Sequence, residues 1–248
     1  MTSNTQVAPG VRVALRRPDT WRLAVFGVPV TIDISWPLAL GLAAWTLADT
    51  ILPLAAPGRP LASYALAGIT GGALVLLSLA LHEFGHCVAA HRAGLGLARV
   101  TLSLVGGTCE LSEAPRRPST EFRIAVAGPL VTAGCALVAA IAHVVLVESD
   151  ADPLTSALAA ALAVANALFF LLNVVPGLPL DGGRIARAAV WAITGREPLA
   201  TRAALAAGRA VAMTLLALAL IASASGDAAT AVWGGFLGIV LLPDPAAS

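Results

Sequence analysis

The segment His82-Glu83-Phe84-Gly85-His86 sets two imidazoles four residues apart, with a carboxylate beside the first. On a helix, residues four apart project from one face, so both imidazoles can converge on one zinc ion while Glu83 lies beside the metal-bound water. A helix end whose His and Glu reach out to interfacial water is the plain alternative. A catalytic zinc takes three protein ligands and leaves the fourth position to water, so one more ligand is required. Asp181 is the strongest candidate. It follows the 28 uncharged residues 153–180 and closes a stretch broken by Pro176 and Pro179, with Gly182 and Gly183 just beyond it. Prolines interrupt a helix and paired glycines let backbones approach closely, which suits a carboxylate turned inward toward a partner helix. The alternative for Asp181 is an interfacial carboxylate at a helix end.

The elements that must position these residues are membrane helices. Of the 248 residues, 58% are hydrophobic and 12% charged, about half the roughly 25% charge of an ordinary soluble domain. Uncharged runs at 60–81, 124–147 and 153–180 each exceed the ~20 residues that cross a hydrocarbon core. Weaker candidates at 35–54, 210–224 and 228–242 bring the expectation to six spans. Arginines give an independent reading of topology, because basic residues stay on the cytoplasmic side. Fourteen of the fifteen fall on alternate loops: Arg12 to Arg22 before the first span, Arg92 to Arg123 after the second, and Arg184 to Arg209 after the fourth. Both termini are then expected in the cytoplasm, with residues 1–22 a polar tail, 243–248 a short one, and the whole chain one membrane-embedded domain.

Two stretches read as strands. Residues 25–34 alternate Val28, Val30, Ile32 and Ile34 with Pro29, Thr31 and Asp33, and residues 98–111 alternate similarly before Gly106-Gly107, as β-hairpins at the cytoplasmic face would. The fold class is therefore an all-α polytopic membrane protein carrying short hairpins. A net charge of +1 gives no field for nucleic acid. Cys87, Cys109 and Cys135 are scattered, with no metal or disulfide spacing, and read as small buried hydrophobes. His91 reads as an interfacial side chain and Glu110 and Glu121 as solvated loop carboxylates, with metal neighbours as their alternative, while His143 reads as a helix contact, with a functional intramembrane His as its alternative.

Taken together, the two motifs make the chain resemble the site-2 protease family of intramembrane zinc metalloproteases. That family carries H-E-x-x-H on one transmembrane helix and N-x-x-P-x-x-x-L-D-G on a later one. Here the matches are His82, Glu83 and His86, then Asn173, Pro176, Leu180, Asp181 and Gly182. Weaker similarity runs through residues 26–30, Gly106-Gly107, Glu121 and residues 127–130. The resemblance implies one zinc held by His82, His86 and Asp181, with Glu83 as general base. It also implies that Asn173 lies near the bound peptide, donating to the oxyanion or orienting substrate. The implied substrate is the transmembrane helix of a membrane-tethered regulator, such as an anti-sigma factor or a latent transcription factor, cut by regulated intramembrane proteolysis in the lipid membrane.

Two departures bear on that expectation. Thr132 stands where family members often have Asn. No loop is long enough for a PDZ domain and only six residues follow Leu242, so a short form without PDZ or CBS domains is expected. The competing reading is a zinc-binding membrane protein without protease activity, a transporter or an inactive adaptor. One compact constellation and four His, with no ligand missing, favour the enzyme.

Overall fold

The computed structural model describes residues 20–25, 28–33, 35–103 and 106–242. The expected tail of 243–248, Gly27, Arg12, Arg16 and Arg17 lie outside them. Apolar runs become helices because a chain in hydrocarbon must satisfy its backbone hydrogen bonds within the segment. Among the described residues, five segments are long and apolar enough to cross a membrane, so the chain is a multi-pass membrane protein. The first, Ser35–Ala55, is built of α1 (Ser35–Trp45), a π-helical stretch (Thr46–Ile51) and α2 (Leu52–Ala55). Its π register brings the Leu52 N–H back to Leu47 O, just before Pro53, which has no N–H to place. The others are α3 (Leu61–Arg92), α4 (Pro118–Glu148), α5 (Pro153–Asn173) and α7 (Glu197–Ala224).

The expected sixth span, 228–242, instead forms α8 (Ala228–Val240), only 13 residues long. That is about 20 Å, short of the ~30 Å hydrocarbon core. The fourth span ends at Asn173 rather than Leu180, because Pro176, Gly177 and Pro179 turn the chain before α6 (Asp181–Thr194) begins. Helix starts follow local chemistry. Asp152 accepts from Leu154 N at 3.1 Å and Thr155 N at 3.3 Å, with Pro153 at the first helical position of α5. α6 stops at Gly195, whose φ of 67° is the left-handed region glycine favours.

The helices pack through small residues, as membrane helices do when backbones must come close. A Cβ on Gly72 would stand 3.1 Å from Ala44 N, and one on Gly85 2.9 Å from Ala127 O, so α3 lies directly against α1 on one side and α4 on the other. α4 packs in turn on α5 and α6, and α7 packs on α6 and α8. α3 runs 32 residues, about 48 Å, longer than the hydrocarbon layer. His82 stands 21 residues beyond Leu61, about 32 Å along that helix.

The expected hairpins combine into one sheet. β1 (Thr20–Val25) and β2 (Val28–Asp33) are antiparallel, as are β3 (Leu97–Ser103) and β4 (Gly106–Leu111). β1 thus begins within the stretch read as a polar tail, and residues 28–33 are the second strand of their hairpin rather than both. β2 and β3 then join in parallel, Val30 opposite Val100 and Ile32 opposite Leu102, giving the order β1-β2-β3-β4. The β3–β4 hairpin packs against α3.

Candidate metal centre

Residues 82, 83 and 86 fall on the face of α3 turned into the bundle, and His82, Glu83 and His86 are all buried. The two imidazoles meet edge to face, with centroids 4.8 Å apart and ring planes at 85°. Each is aimed by α4. His86 Nδ1–H donates to Ile124 O at 2.7 Å, and His82 Nδ1–H donates to Thr132 Oγ1 at 2.8 Å, while the Thr132 hydroxyl turns its own proton to Gly128 O at 3.4 Å. A carbonyl only accepts, so His86 carries its proton on Nδ1 and presents a lone pair at Nε2. Thr132, by donating to Gly128, fixes the same tautomer on His82. Phe169 of α5 lies on the other side of His82, centroids 5.1 Å apart.

Asp181, the first residue of α6, enters this space from a distant part of the chain. Its Oδ2 lies 3.0 Å from His82 Nε2 and 3.1 Å from His86 Nε2, and the two Nε2 atoms are 3.2 Å apart. Three acceptors therefore face one another. Burial alone would push the Asp181 carboxyl up, but its contacts with His82 and His86 hold it down at about 2. A cation seated between the three would relieve their crowding.

The triangle fits zinc. A tetrahedron with bonds of about 2.0 Å has ligand–ligand edges of about 3.3 Å, close to the three separations, and N/N/O donors with one open vertex are the set of a catalytic site. Glu83 is outside the trio that converges, as a base acting beside a metal must be. Gly128 makes room: a Cβ there would collide with His86 Nε2 and lie 2.8 Å from His82 Cε1.

Asn173, the last residue of α5, is buried and donates one amide N–H to Phe169 O, four residues back, at 3.0 Å. The amide has a second N–H. His143 is remote from the trio, bonded through Nδ1 to Ser156 O at 2.9 Å, the helix contact expected of it. His91 and Glu110 are exposed. Glu121 corrects its expectation: it is 1% exposed rather than solvated, and paired with Arg187. Cys87 is buried, and Cys109 and Cys135 are half-buried.

Sequence reasoning passed over the support that α4 gives. Ile124 acts through its carbonyl and Gly128 through having no side chain, so neither residue type announces a role. Thr132, a hydroxyl within an otherwise apolar run, was the one legible signal.

The profile of peptidase family M50 matches residues 71–160 and 148–218, more than half of the chain. Rip3 of Mycobacterium tuberculosis is 37% identical over 214 residues, 86% of this chain and 54% of Rip3. Zinc metalloprotease MJ0392 of Methanocaldococcus jannaschii is 31% identical over 115 residues, 46% of this chain and 32% of MJ0392. The chain thus spans about half the length, or less, of these curated relatives. The solved site-2 protease from Methanocaldococcus jannaschii has the same fold, with a TM-score of 0.58 at 23% identity over 90% of this chain and 92% of that one. The chain belongs to peptidase family M50.

Proposed function

We propose that the protein is an intramembrane zinc endopeptidase, cutting the transmembrane helix of a membrane-tethered regulatory protein. The observation that carries this reading is the convergence of His82 Nε2, His86 Nε2 and Asp181 Oδ2 within 3.0–3.2 Å, with buried Glu83 next to them and a membrane helix beneath. His82, His86 and Asp181 would hold the metal. Zinc, when bound there, supplies Lewis acidity that lowers the pKa of water to about 7 and polarises a carbonyl.

The remaining steps belong to this chain's residues. Glu83 accepts the proton of the attacking water and returns it to the leaving amine. The second N–H of Asn173 donates to the oxygen that becomes negative as the peptide carbon turns tetrahedral. Ile124 and Thr132 keep both imidazoles in the tautomer that leaves Nε2 free. A substrate helix must unwind before its peptide bonds are reachable. β4, the outer strand of the sheet and packed on α3, offers an edge on which such a strand can be held extended. The distribution of arginines supports a cytoplasmic location for the sheet and for the segment before the first span, whereas five spans carry the end of α7 to the opposite face, against the expectation that both termini are cytoplasmic. An anti-sigma factor or a latent transcription factor is the class of substrate that regulated intramembrane proteolysis would present.

Purified full-length chain in detergent, assayed for zinc content and for cleavage of a candidate transmembrane substrate, tests the reading. The wild type is expected to hold one zinc and to cut, and Glu83→Gln to hold one zinc without cutting. Equal cleavage by both proteins would overturn it. Stoichiometric zinc with no cleavage of any transmembrane substrate would point instead to a zinc-binding protein without protease activity.

A further inference from the structure

We propose that the buried ion pair between Glu121 and Arg187 is a positioning device that sets the third metal ligand, Asp181, against the two imidazoles. It rests on the metal reading above and adds to it the residues that hold the site to size. His82 and His86 come from one helix and keep their spacing by helix geometry alone. Asp181 has no such guarantee, because it follows an irregular segment, residues 174–180, and lies 95 residues from His86. Something must fix α6 relative to α3 closely enough for all three ligands to reach one ion.

α4 does this with a single turn. Ile124 O, on that turn, accepts from His86 Nδ1. Glu121, three residues earlier on the same helix, accepts at Oε1 from Arg187 Nε at 2.9 Å and from Arg187 Nη2. Arg187 is six residues beyond Asp181 on α6, so one turn of α4 grips both the helix that carries the imidazoles and the helix that carries the carboxylate. The guanidinium reaches further, with Nη1 3.4 Å from Glu197 Oε1 and 3.3 Å from Thr201 Oγ1 on α7. It thereby ties α6 to its neighbours on two sides.

The chemistry of the pair is poor cement and good registration. Glu121 is fully buried, yet its Oε2 is the one buried side-chain N or O among the described residues without a hydrogen-bond partner. A buried carboxylate half satisfied gives little net stability, and well-packed apolar residues of similar volume hold helices together as well or better. What an apolar contact lacks is direction. A planar guanidinium bonded through two nitrogens to one carboxylate fixes both distance and orientation. Of the other arginine–carboxylate pairs among the described residues, Arg59–Asp152 and Arg116–Glu113 lie at exposed positions away from the site, and Arg184 comes only to 3.9 Å from Asp181 Oδ1 within the same helix, so it cannot set α6 against α4.

The test uses the full chain in detergent as wild type, Glu121→Gln, Arg187→Lys and the double variant Glu121→Met/Arg187→Met. Zinc affinity is measured by competition with a chelator, the ligand field by the visible absorption of the cobalt-substituted protein, and folding by circular dichroism and thermal unfolding. Glu121→Gln keeps the volume and an acceptor oxygen, and the double variant removes the ion pair while keeping the packing. The expected result is a melting temperature in the double variant at or above that of wild type. Zinc affinity is expected to fall ten- to a hundredfold in both Glu121→Gln and the double variant, the range seen when groups that orient metal ligands are lost, with an altered cobalt spectrum. Folded variants with wild-type zinc affinity and an unchanged spectrum would overturn the inference while leaving the metal centre standing. A wild type that takes up no stoichiometric zinc or cobalt would overturn the metal centre itself, and this role with it.

Discussion

The Thr132 hydroxyl oxygen lies 2.8 Å from His82 Nδ1, fully buried in the middle of a membrane helix. The bond occupies the side of the ring away from the converging ligands, so it selects which nitrogen is left for a metal. Thr132→Val keeps the shape and removes the acceptor. Zinc affinity, measured by chelator competition, is expected to fall between ten- and a hundredfold, while Thr132→Ser is expected to stay close to wild type.

Gly128 faces both imidazoles with no side chain. A Cβ at that position collides with His86 Nε2 and comes within 2.6 Å of His86 Cε1. Because Ile124 O and Thr132 pin the rings, they have no rotamer to retreat to. Gly128→Ala is expected to lose stoichiometric zinc, read by elemental analysis, while far-ultraviolet circular dichroism still reports a helical chain.

Asn173 spends one amide N–H on Phe169 O and keeps the other. If that N–H meets the developing oxyanion, Asn173→Ala lowers kcat by about a hundredfold or more, the usual cost of losing one such donor, with zinc content unchanged. A rise in KM at constant kcat would place the residue in substrate binding instead.

Close packing makes a contrast between two glycines. A Cβ on Gly208 of α7 would collide with Leu178 O and stand 2.9 Å from Leu178 C, in the segment that delivers Asp181, whereas Gly134 on α4 has nothing within 4 Å of its Cβ position. Gly208→Ala is expected to destabilise by about 1 to 3 kcal/mol through overpacking. Gly134→Ala is expected to be neutral or to stabilise by up to about 1 kcal/mol through helix propensity. Thermal unfolding in detergent separates the two.

His82, Glu83 and His86 were legible because their relation is local, one helical turn. Asp181 was legible because charge is scarce and it ends a long apolar run. The parallel pairing of Val30 with Val100 was not, since nothing in either strand names a partner seventy residues away. Glu121 was misread for a related reason: a carboxylate beside a loop looks solvated until Arg187, 66 residues later, arrives to bury it. α8 falls short of a span because Gly226, at a φ of 82°, and Asp227, whose side chain accepts from Thr230 N, fix its start at Ala228, only 13 residues from its end at Val240.

The depth of His82, about 32 Å along α3, bears on what happens after a cut. Hydrolysis turns one neutral amide into a new carboxylate and a new ammonium, and each is costly to leave in hydrocarbon. If α3 starts at one face of the bilayer and the site cuts as proposed, a site about one bilayer thickness along it would deliver both new chain ends at the edge of the lipid, where water would take them. The products would then separate by solvation rather than by any force the protein must exert.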